Sequence, residues 1–587
     1  MLWVLGPLAV LVLLGAVLLA VTVPGVRDHL TASRKALVAA QDALASGDQQ
    51  GARAKLALAQ RHSRAALHTS DGLVWRAFSH LPVAGPSVRE VRALTTAVDT
   101  VTSSVLPPLV TADVVPGRWT GRVDPAPFVA LRAPLATADR RLADARRRLR
   151  AAPSSRIDLL GDARIQLDDG LTRLARTLAE AHAAADAVPG LVTGERTYLL
   201  GVQNNAEQRA TGGLLGAYAV LHVSNGALRL EQVGPDQDLR DPDRPVLDLG
   251  EEYEARYGRF QTTSTWRSAN LSPDTPTVGR IVAALWKQRT GTSVDGVLLV
   301  DPVGLARLLG GTGPVVLADG TRLTQQNAVR VLLVDAYRRF PRTEDAARNA
   351  YLQAALSRVV VAVTGGGLDG ARLVRAVGGA VAGGHLQVWA ADPTVESALV
   401  RSRVGGALPA AGPFLEVVTQ DAGGSKLGVY QRRSVRYDGT PTGEAVDLGD
   451  GPVLEEAADV TVVLTNTAPA GLPAYVTLRP DDPKAPVGQS RTWVSVYLGR
   501  GATLLSATLD GAPVALESTT EQGLAAFSTF VSTDRGASST LRLRVRQPAA
   551  PGQALLWRQQ PLVRPDDLVV RRYGAPLDRV YDSGSGG

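Results

Sequence analysis

Residues Tyr198 to Tyr218 read YLLGVQNNAEQRATGGLLGAY and decide the fold of the central part of the chain. An apolar run opens this stretch and another closes it, which predicts two strands, Tyr198–Val202 and Leu214–Val223. The residues between the runs are mostly polar, and we expect them to form a compact loop. Gly212 and Gly213, at the end of this loop, permit backbone conformations closed to other residues and allow close approach of another chain or a ligand.

The polar loop supplies the first candidate ligand-binding residues, Asn205, Glu207 and Arg209, with Asn204 beside them. The guanidinium of Arg209 is a planar fork of five donors, which suits a phosphate or carboxylate. The alternative is a buried Arg209–Glu207 ion network inside a structural turn, since such networks have the same composition. Both interpretations stay open at the level of the sequence.

A second group of candidates lies in two predicted helices, Ala328–Phe340 and Glu344–Val363. Arg338 and Arg339 close the first helix, Asp345 lies at the start of the second, and Arg348 lies one turn inside it. Arginines folded towards the polar loop would form an anion pocket. Ordinary solvent-exposed arginine is the alternative, and the residues alone favour it.

The composition indicates several domains and no cysteine chemistry. A chain of 587 residues, 45% of them hydrophobic, exceeds one ordinary core. The absence of cysteine excludes disulfides and cysteine-ligated metals, and the seven scattered histidines contain no HExxH motif, so no zinc site is expected. The net charge of +7 fits an anionic partner such as a phosphate polymer or lipid headgroup. We expect no nucleic-acid partner.

The stretch Leu2 to Val23 contains no charged residue and is long enough to span a bilayer as one helix. We therefore assign residues 1–26 to a transmembrane anchor that ends at Pro24-Gly25, with Arg27 at the membrane interface. A cleavable signal is the alternative, but a charged start and an A-x-A site are missing.

Residues 27–190 predict a helical stalk. Apolar residues recur at alternating spacings of four and three, which places one stripe on each helix and is typical of antiparallel bundles. The clearest series is Leu131, Leu135, Ala138, Leu142, Ala145 and Leu149. The basic run Arg146–Arg148 with Arg150 is compatible with anionic lipid, but a solvated bundle face is favoured because Leu142, Ala145 and Leu149 interleave it.

Residues 191–430 alternate strands and helices and predict a mixed α/β core. Further elements are strands at Leu228–Val233, Val294–Val300 and His385–Trp389 and helices at Val278–Arg289 and Pro302–Leu309, the latter closed by Gly310-Gly311. Residues 431–548 change to alternating strands without helices, with a hairpin signal at Asp510-Gly511, and predict a β-sandwich. Residues 549–587 form a Pro- and Arg-rich tail whose Ser583–Gly587 end is flexible.

The stretch QNNAEQRATGGLLGAY resembles the signature of a bacterial family, the domain of unknown function numbered 4012, which is common in cell-envelope proteins. The resemblance continues through VDGVLLVDP (Val294–Pro302), GGTGPV (Gly310–Val315) and SKLGVYQRRSVRY (Ser425–Tyr437). The family implies an extracytoplasmic domain but no activity. Arg27, Arg34 and Lys35 after the apolar segment would place the bulk of the chain in the cytoplasm, yet large domains translocate largely regardless of flanking charge.

The order of motifs is also remotely similar to the LytR–CpsA–Psr envelope proteins. These transfer glycopolymers from a polyprenyl-pyrophosphate carrier to peptidoglycan with Mg²⁺. The similarity implies that Arg209, Arg338 or Arg339, and Arg348 grip pyrophosphate, on the resemblance of YRRFPRTEDAARNAYLQAAL to the last family element. It makes Asp236 and Asp238 the nearest metal ligands.

The sequence differs from that family pattern at two phosphate-binding positions. In GPDQDL, Gln237 stands where the family has an arginine, although Arg240 is near enough in sequence to substitute. The glutamine that follows the last family arginine is also missing, because Ala350-Tyr351 follows Asn349.

We therefore expect an α+β multidomain protein held in the cytoplasmic membrane by a single span, with the bulk of the chain outside. Its α/β core would resemble the LytR–CpsA–Psr fold. The expected role is a non-catalytic scaffold or anionic-ligand-binding protein in cell-wall or surface-polysaccharide assembly, with a polyprenyl phosphate or anionic glycopolymer as partner. The alternative is a metal-dependent phosphotransferase that acts on the same carrier and requires Mg²⁺.

Overall fold

The computed structural model describes residues 24–46, 48–112, 114–155, 157–340, 342–447, 452–550, 553–572 and 577–579. The predicted membrane segment Leu2–Val23 lies outside these residues. Within them, no helix is both long and apolar enough to cross a membrane. The chain divides into two compact units, Met1–Thr193 with Gly367–Gly378, and Gly194–Gly366 with Gly379–Gly587.

The first unit is built from helices, as its apolar spacing predicts. Its elements are α1 (Pro24–Ser46), α2 (Gln49–Ser70), α3 (Leu73–Phe78), α4 (Gly85–Thr100), a π-helical continuation (Val101–Val105), α5 (Pro107–Thr111), α6 (Ala126–Ala151) and α7 (Asp158–Val192). A two-residue strand, β1 (Arg118–Trp119), pairs with β8 (Leu368–Asp369). Leucines and alanines of the long helices form one hydrophobic cluster.

The predicted stripe on α6 faces that cluster. Leu135, Leu142 and Leu149 are buried, and Leu131 packs against the same cluster from its edge. The basic run lies on the opposite face, where Arg147 and Arg148 contact Asp144, and Arg146 and Arg150 contact Asp168. These arginines are the solvated face that the interleaved leucines indicate.

The second unit contains a five-stranded sheet in the order β4-β3-β2-β5-β9. Its strands are β2 (Glu195–Arg209), β3 (Gly212–Ser224), β4 (Ala227–Pro235), β5 (Gly296–Val300) and β9 (Leu386–Ala390). Only β2 and β5 run parallel. The core beside the sheet is filled by the apolar side of helix α9 (Thr275–Thr290) and by aromatic residues that follow β4.

The remaining helices lie in the chain between β4 and β10. They are α8 (Glu251–Tyr257), α10 (Pro302–Thr312), α11 (Ala328–Arg330), a π-helical segment (Val331–Asp335), α12 (Ala336–Arg339), α13 (Asp345–Thr364), α14 (Gly370–Ala382) and α15 (Pro393–Leu399), with the short strands β6 (Val315–Val316) and β7 (Arg322–Leu323) between α10 and α11. Most of α14 belongs to the first unit, through its segment Gly367–Gly378. The predicted helix end at Leu309 was wrong by three residues, because Gly310 and Gly311 continue α10 to Thr312.

The predicted loop between the two central strands is part of the hairpin itself. β2 continues through the polar residues to Arg209, and the β2–β3 register shifts between Asn204 and Gln208. Asn205, Ala206 and Glu207 therefore form a bulge, and the true turn is Ala210-Thr211. The loop prediction was wrong because a bulge interrupts the alternation that marks a strand.

Two six-stranded sheets make up the rest of the second unit. Their orders are β16-β17-β13-β10-β19-β21 and β15-β14-β18-β12-β11-β20. The strands are β10 (Phe414–Asp421), β11 (Gln431–Asp447), β12 (Pro452–Asn466), β13 (Ser490–Leu498), β14 (Thr503–Leu509), β15 (Ala512–Pro513), β16 (Glu517–Glu521), β17 (Leu524–Thr533), β18 (Ser538–Pro548), β19 (Leu555–Arg558), β20 (Asp567–Arg572) and β21 (Leu577–Arg579). Both sheets contribute residues to one hydrophobic cluster.

Three details depart from the predicted pattern here. The first strand of these sheets, β10, precedes residue 431, the predicted start of the strand region. A one-turn helix, α16 (Ala474–Thr477), interrupts the strands. The residues predicted as a tail include β19 and β20, which pair in parallel with β10 and β11. Their Pro- and Arg-rich composition is typical of an exposed tail and did not indicate strands. The arginines are nevertheless buried in ion pairs, Arg558 with Glu416 and Arg572 with Glu456.

Candidate functional site

A cleft of about 190 Å³ opens in the second unit where the β2 bulge meets α12, α13 and α16. Its charged side chains, called here the charged cluster, are Glu207, Asp236, Arg267, Asp345, Arg348 and Lys426. Its leucine cluster comprises Leu332 and Leu333 of the π-helical segment and Leu352 and Leu356 of α13. Tyr337 and Tyr475 line the same cleft, with the amides of Asn204, Gln237 and Asn349. The cleft thus offers charged, hydrogen-bonding and apolar surface together.

The β2 bulge is held in shape by two glycines that tolerate very close backbone contacts. A Cβ on Gly213 would lie 2.1 Å from the carbonyl carbon and oxygen of Asn204. A Cβ on Gly428 would lie 2.4 Å from the carbonyl oxygen of Asn205. Side chains at either position would therefore push the strand or the following segment away. The glycines let the SKLGVY segment pack directly on the bulge.

This packing brings Lys426 to Glu207, and the two side chains form an ion pair between Nζ and Oε1. Only 7% of the Lys426 side chain and 14% of the Glu207 side chain are exposed. Although burial opposes the charge on Lys426, the Glu207 carboxylate and neighbouring tyrosines raise the pKa of this amine above its usual range. Lys426 is therefore a fixed positive charge in the cleft.

Two tyrosine rings hold both cations of this part of the cleft. The Lys426 Nζ lies 4.6 Å from the Tyr475 ring centroid, and the Arg348 guanidinium carbon also lies 4.6 Å from it. The same two cations lie 5.8 Å and 5.2 Å from the Tyr337 ring centroid. Cation–π attraction of this kind keeps charges in place without neutralising them. The Arg348 Nη1 also lies 2.7 Å from Oδ1 of Asp345.

Tyr337 connects the aromatic pair to the bulge. Its hydroxyl accepts a hydrogen bond of 2.8 Å from Nδ2 of Asn204. Burial raises the pKa of Tyr337 to about 12, with Lys426 opposing and Glu207 adding to this shift. The hydroxyl therefore keeps its proton at neutral pH and remains available as a donor in the cleft.

Asp236 and Arg267 line another part of the cleft. Burial raises the pKa of Asp236, while the nearby Arg267 opposes that rise. The side chain of Arg267 is exposed, and it forms no ion pair with a residue that the structure describes. Lys426 and Arg348, by contrast, each contact a carboxylate. Arg267 is thus the cation of the charged cluster that is free to meet an incoming anion.

The structure brings four of the predicted candidates together in this cleft: Glu207, Asp236, Asp345 and Arg348. Asp238 lies near Asp236 in a 3-10 helix but does not line the cleft, and its backbone carbonyl accepts a bond from Arg289. Asn205 is buried beneath the cleft, where its Nδ2 donates to Oδ2 of Asp301 at 2.8 Å.

Arg209, Arg338 and Arg339 do not line the cleft. Arg209 donates to the backbone carbonyls of Arg267, Gln208 and Asp421 rather than to the Glu207 carboxylate. Arg339 pairs with Asp319 and covers the Phe340 and Tyr351 rings. Arg338 is exposed beside Tyr430. Of the two interpretations that the sequence left open, the buried ion network is present, but its cation is Lys426 and not Arg209.

Sequence reasoning missed four residues of the cleft: Arg267, Lys426, Tyr337 and Tyr475. Lys426 lies in the SKLGVY stretch and Tyr337 in YRRF, and the sequence singled out both stretches without assigning those side chains a role. Nothing local marks Arg267 or Tyr475. Their significance depends on contacts between segments far apart in the chain.

The described side chains of the cleft do not supply the full ligand set that a metal ion needs. Among the residues that the structure describes, no group of three or more His, Asp or Glu side chains is placed to hold one. Asp236 is the single predicted metal ligand in the cleft.

The central hairpin and part of the cleft lie in a region that matches a known family. Residues 193–337 match the model of a family described as protein of unknown function (DUF4012). The resemblance carried by the QNNAEQRATGGLLGAY stretch is thereby confirmed. The match ends before Ser425–Tyr437, and it contains Glu207, Asp236, Arg267 and Tyr337 of the cleft. A search of curated proteins finds no match.

Proposed function

We propose that this chain is a membrane-anchored cell-envelope protein whose cleft binds an amphiphilic anion, without catalysis, in cell-wall or surface-polysaccharide assembly. The observation that carries the proposal is the union of the charged and leucine clusters in one cleft. A phosphate-bearing head suits Arg267 and the aromatic-held cations, because charge-assisted bonds are the strong ones. A polyprenyl chain suits the four leucines.

The rest of the architecture supports this role in more general ways. The uncharged stretch Leu2–Val23 supports a single membrane span and an extracytoplasmic location for the remainder. The helical first unit would act as a stalk. Two six-stranded sheets with a common hydrophobic cluster are what a β-sandwich requires. The order of strands and helices supports a LytR–CpsA–Psr-like core.

One observation favours the transferase alternative. Asp236 and Arg348, which that resemblance assigns to metal and to pyrophosphate, line the same cleft. In that reaction a hydroxyl of the wall acceptor would attack the phosphorus that bears the glycopolymer, and polyprenyl phosphate would leave. The expected sign of this activity is release of polyprenyl phosphate from the lipid-linked glycopolymer in the presence of the wall acceptor, which Asp236→Asn and Arg348→Gln should both reduce.

Calorimetric titration of the full chain with farnesyl pyrophosphate and with inorganic pyrophosphate tests the binding proposal. We expect farnesyl pyrophosphate to bind more tightly, because it reaches the leucine cluster as well. Arg267→Gln should weaken both ligands about tenfold, since one charge-assisted bond contributes roughly 1.5–3 kcal/mol. Leu352→Ala should weaken farnesyl pyrophosphate alone.

Arg544→Gln is the matched control, because Arg544 is an exposed arginine on β18 that does not line the cleft. It should leave both affinities unchanged. Equal weakening by Arg544→Gln, or no binding of either ligand, would refute the proposed site. Equal affinity for the two ligands would refute the role of the leucine cluster.

A further inference from the structure

The first unit exposes an apolar tip at the end of its second helix. Leu73, Val74 and Phe78 of α3, and Leu81 and Val83 after it, are exposed by 84%, 67%, 50%, 45% and 92%. Isolated exposed leucines need no explanation, but five within eleven residues form a patch. We call residues 73–83 the apolar tip.

The apolar tip is a built feature of the bundle. Trp75 packs against the hydrophobic cluster of the bundle, so α3 is fixed with its other apolar side chains outward. Backbone bonds close the turns that follow, from Leu81 to Phe78 and from Gly85 to Leu81. A Cβ on Gly85 would lie 2.6 Å from the carbonyl oxygen of Ser79, which shows how tightly the segment turns back into α4. The exposed side chains are thus held in place.

Helix pairing locates the tip relative to the predicted anchor. α1 and α2 run antiparallel, with Nδ1 of His29 3.4 Å from Nδ1 of His62 and the Ser33 hydroxyl bonded to the Ala59 carbonyl. Counting five residues back from His29 and five forward from His62 sets Pro24 opposite Leu67. The tip begins six residues after Leu67, so it lies level with or beyond the point where the uncharged stretch Leu2–Val23 meets α1.

A third part of the unit reaches the same end. The hydroxyl of Ser155, between α6 and α7, lies 2.7 Å from that of Ser87 at the start of α4. Ile157 follows it with 47% of its surface exposed. Among the described residues, the four arginines that end α6 pair with two carboxylates, Asp144 and Asp168. Exposed apolar side chains with surplus positive charge are typical of surfaces that bind anionic bilayers.

We propose that the apolar tip is a second membrane contact, which inserts into the interfacial region of the bilayer beside the transmembrane segment. The inference rests on the proposed anchor at Leu2–Val23. Two contacts at one end of the bundle would fix the direction in which the stalk leaves the membrane, which a single helix does not do.

Depth measurements on the full chain test this inference. The sequence contains no cysteine, so Val83→Cys gives one labelling position for an environment-sensitive nitrobenzoxadiazole probe. The protein is reconstituted into nanodiscs that contain phosphatidylglycerol, with or without a doxyl-labelled lipid. We expect the doxyl lipid to reduce Val83 probe emission at least about twofold and aqueous iodide to have little effect.

Val129→Cys is the matched control. Val129 is also an exposed valine of the first unit, at 48%, but it lies near the start of α6, roughly 33 Å along the helix from Ala151. Its probe should be quenched by iodide and not by the doxyl lipid.

Three results would overturn the inference. A chain that joins nanodiscs but whose Val83 probe behaves like the Val129 probe refutes the second contact alone. A Val83 probe shielded from iodide without doxyl quenching shows that protein, and not lipid, covers the tip. A chain that does not join nanodiscs contradicts the anchor and the tip contact together.

Discussion

The side chains of Lys426 and Glu207 form a largely buried ion pair, although 219 residues separate them in the chain. Glu207 projects from the β2 bulge, and Lys426 from the segment that Gly428 allows to pack on that bulge. The pair therefore joins the central hairpin to the segment between β10 and β11, which belong to different six-stranded sheets. Its integrity governs both the stability of the second unit and the charge of the cleft.

Lys426→Met should lower the free energy of unfolding of the second unit by about 3 kcal/mol, because it leaves the Glu207 carboxylate buried without a partner. Urea denaturation followed by tryptophan fluorescence measures the effect. The double variant Glu207→Gln/Lys426→Met should recover at least half of the loss, since neither charge then remains. A single variant with an unchanged midpoint would show that the pair contributes nothing.

Gly213→Ala should destabilise the hairpin by about 2 kcal/mol, because the new methyl group meets backbone atoms that have no room to retreat. Gly216→Ala is the control in the same strand, where the nearest atom to an added Cβ lies 3.8 Å away, an ordinary contact. The melting temperature of each variant measures the difference. Equal melting temperatures would mean that the bulge rearranges freely.

Arg209→Ala should lower the melting temperature, because the carbonyls of Gln208, Arg267 and Asp421 lose their donor. The ligand-binding interpretation of Arg209 predicts a different result, weaker binding of a phosphate-bearing ligand. Measuring melting temperature and farnesyl pyrophosphate affinity on the same samples separates the two. Full stability with weakened binding would return Arg209 to the ligand site.

The pattern of the sequence predicted the strands and helices of the second unit well, where apolar runs and helical spacing are continuous. It failed at the β2 bulge, since a bulge brings consecutive polar residues into a strand. The shape of the bulge depends on two glycines. Gly213 lies close to the bulge from the partner strand, and Gly428 lies close to it from a segment more than 200 residues later in the chain.

The candidate site was predicted only in part, for the same physical reason. Glu207, Asp236 and Arg348 were predicted because they are charged residues in segments that the sequence marks as candidate binding elements. Arg339 carries the same charge but pairs with Asp319 outside the cleft. Lys426 and Tyr475 enter the cleft through long-range contacts that no local pattern encodes. Residue type determines the chemistry that a side chain can perform, whereas the packing of distant segments determines whether that side chain lies in the cleft.

Glu396 should make stability depend on pH. Burial raises its carboxyl pKa from about 4.5 to about 7, with Asp274 adding to the rise and the Ala390 amide opposing it. Between these two values the folded chain holds a proton that the unfolded chain has lost, so stability falls as pH rises from about 4.5 to 7 and then levels off.

Glu396→Gln should remove this contribution. The variant should therefore lose less melting temperature than the wild type between pH 5 and pH 8, and calorimetry at both pH values measures the difference. Other buried carboxyls such as Asp421 are common to both proteins, so they cancel in the comparison. Parallel losses in the two proteins would assign the pH dependence elsewhere.

The late strands β19 and β20 bear on the order in which this protein can fold during synthesis. β10 and β11 each gain a parallel neighbour only when residues 555–572 have emerged. The segment between these strands also reaches the central hairpin, where the Gln560 amide bonds to the Arg209 carbonyl and the Pro561 carbonyl to Asn205. A nascent chain must hold two open sheet edges and an unsupported bulge until then. Open strand edges pair readily with strands of other chains. We therefore expect a chaperone that shields these edges to be needed until the last part of the chain has been synthesised.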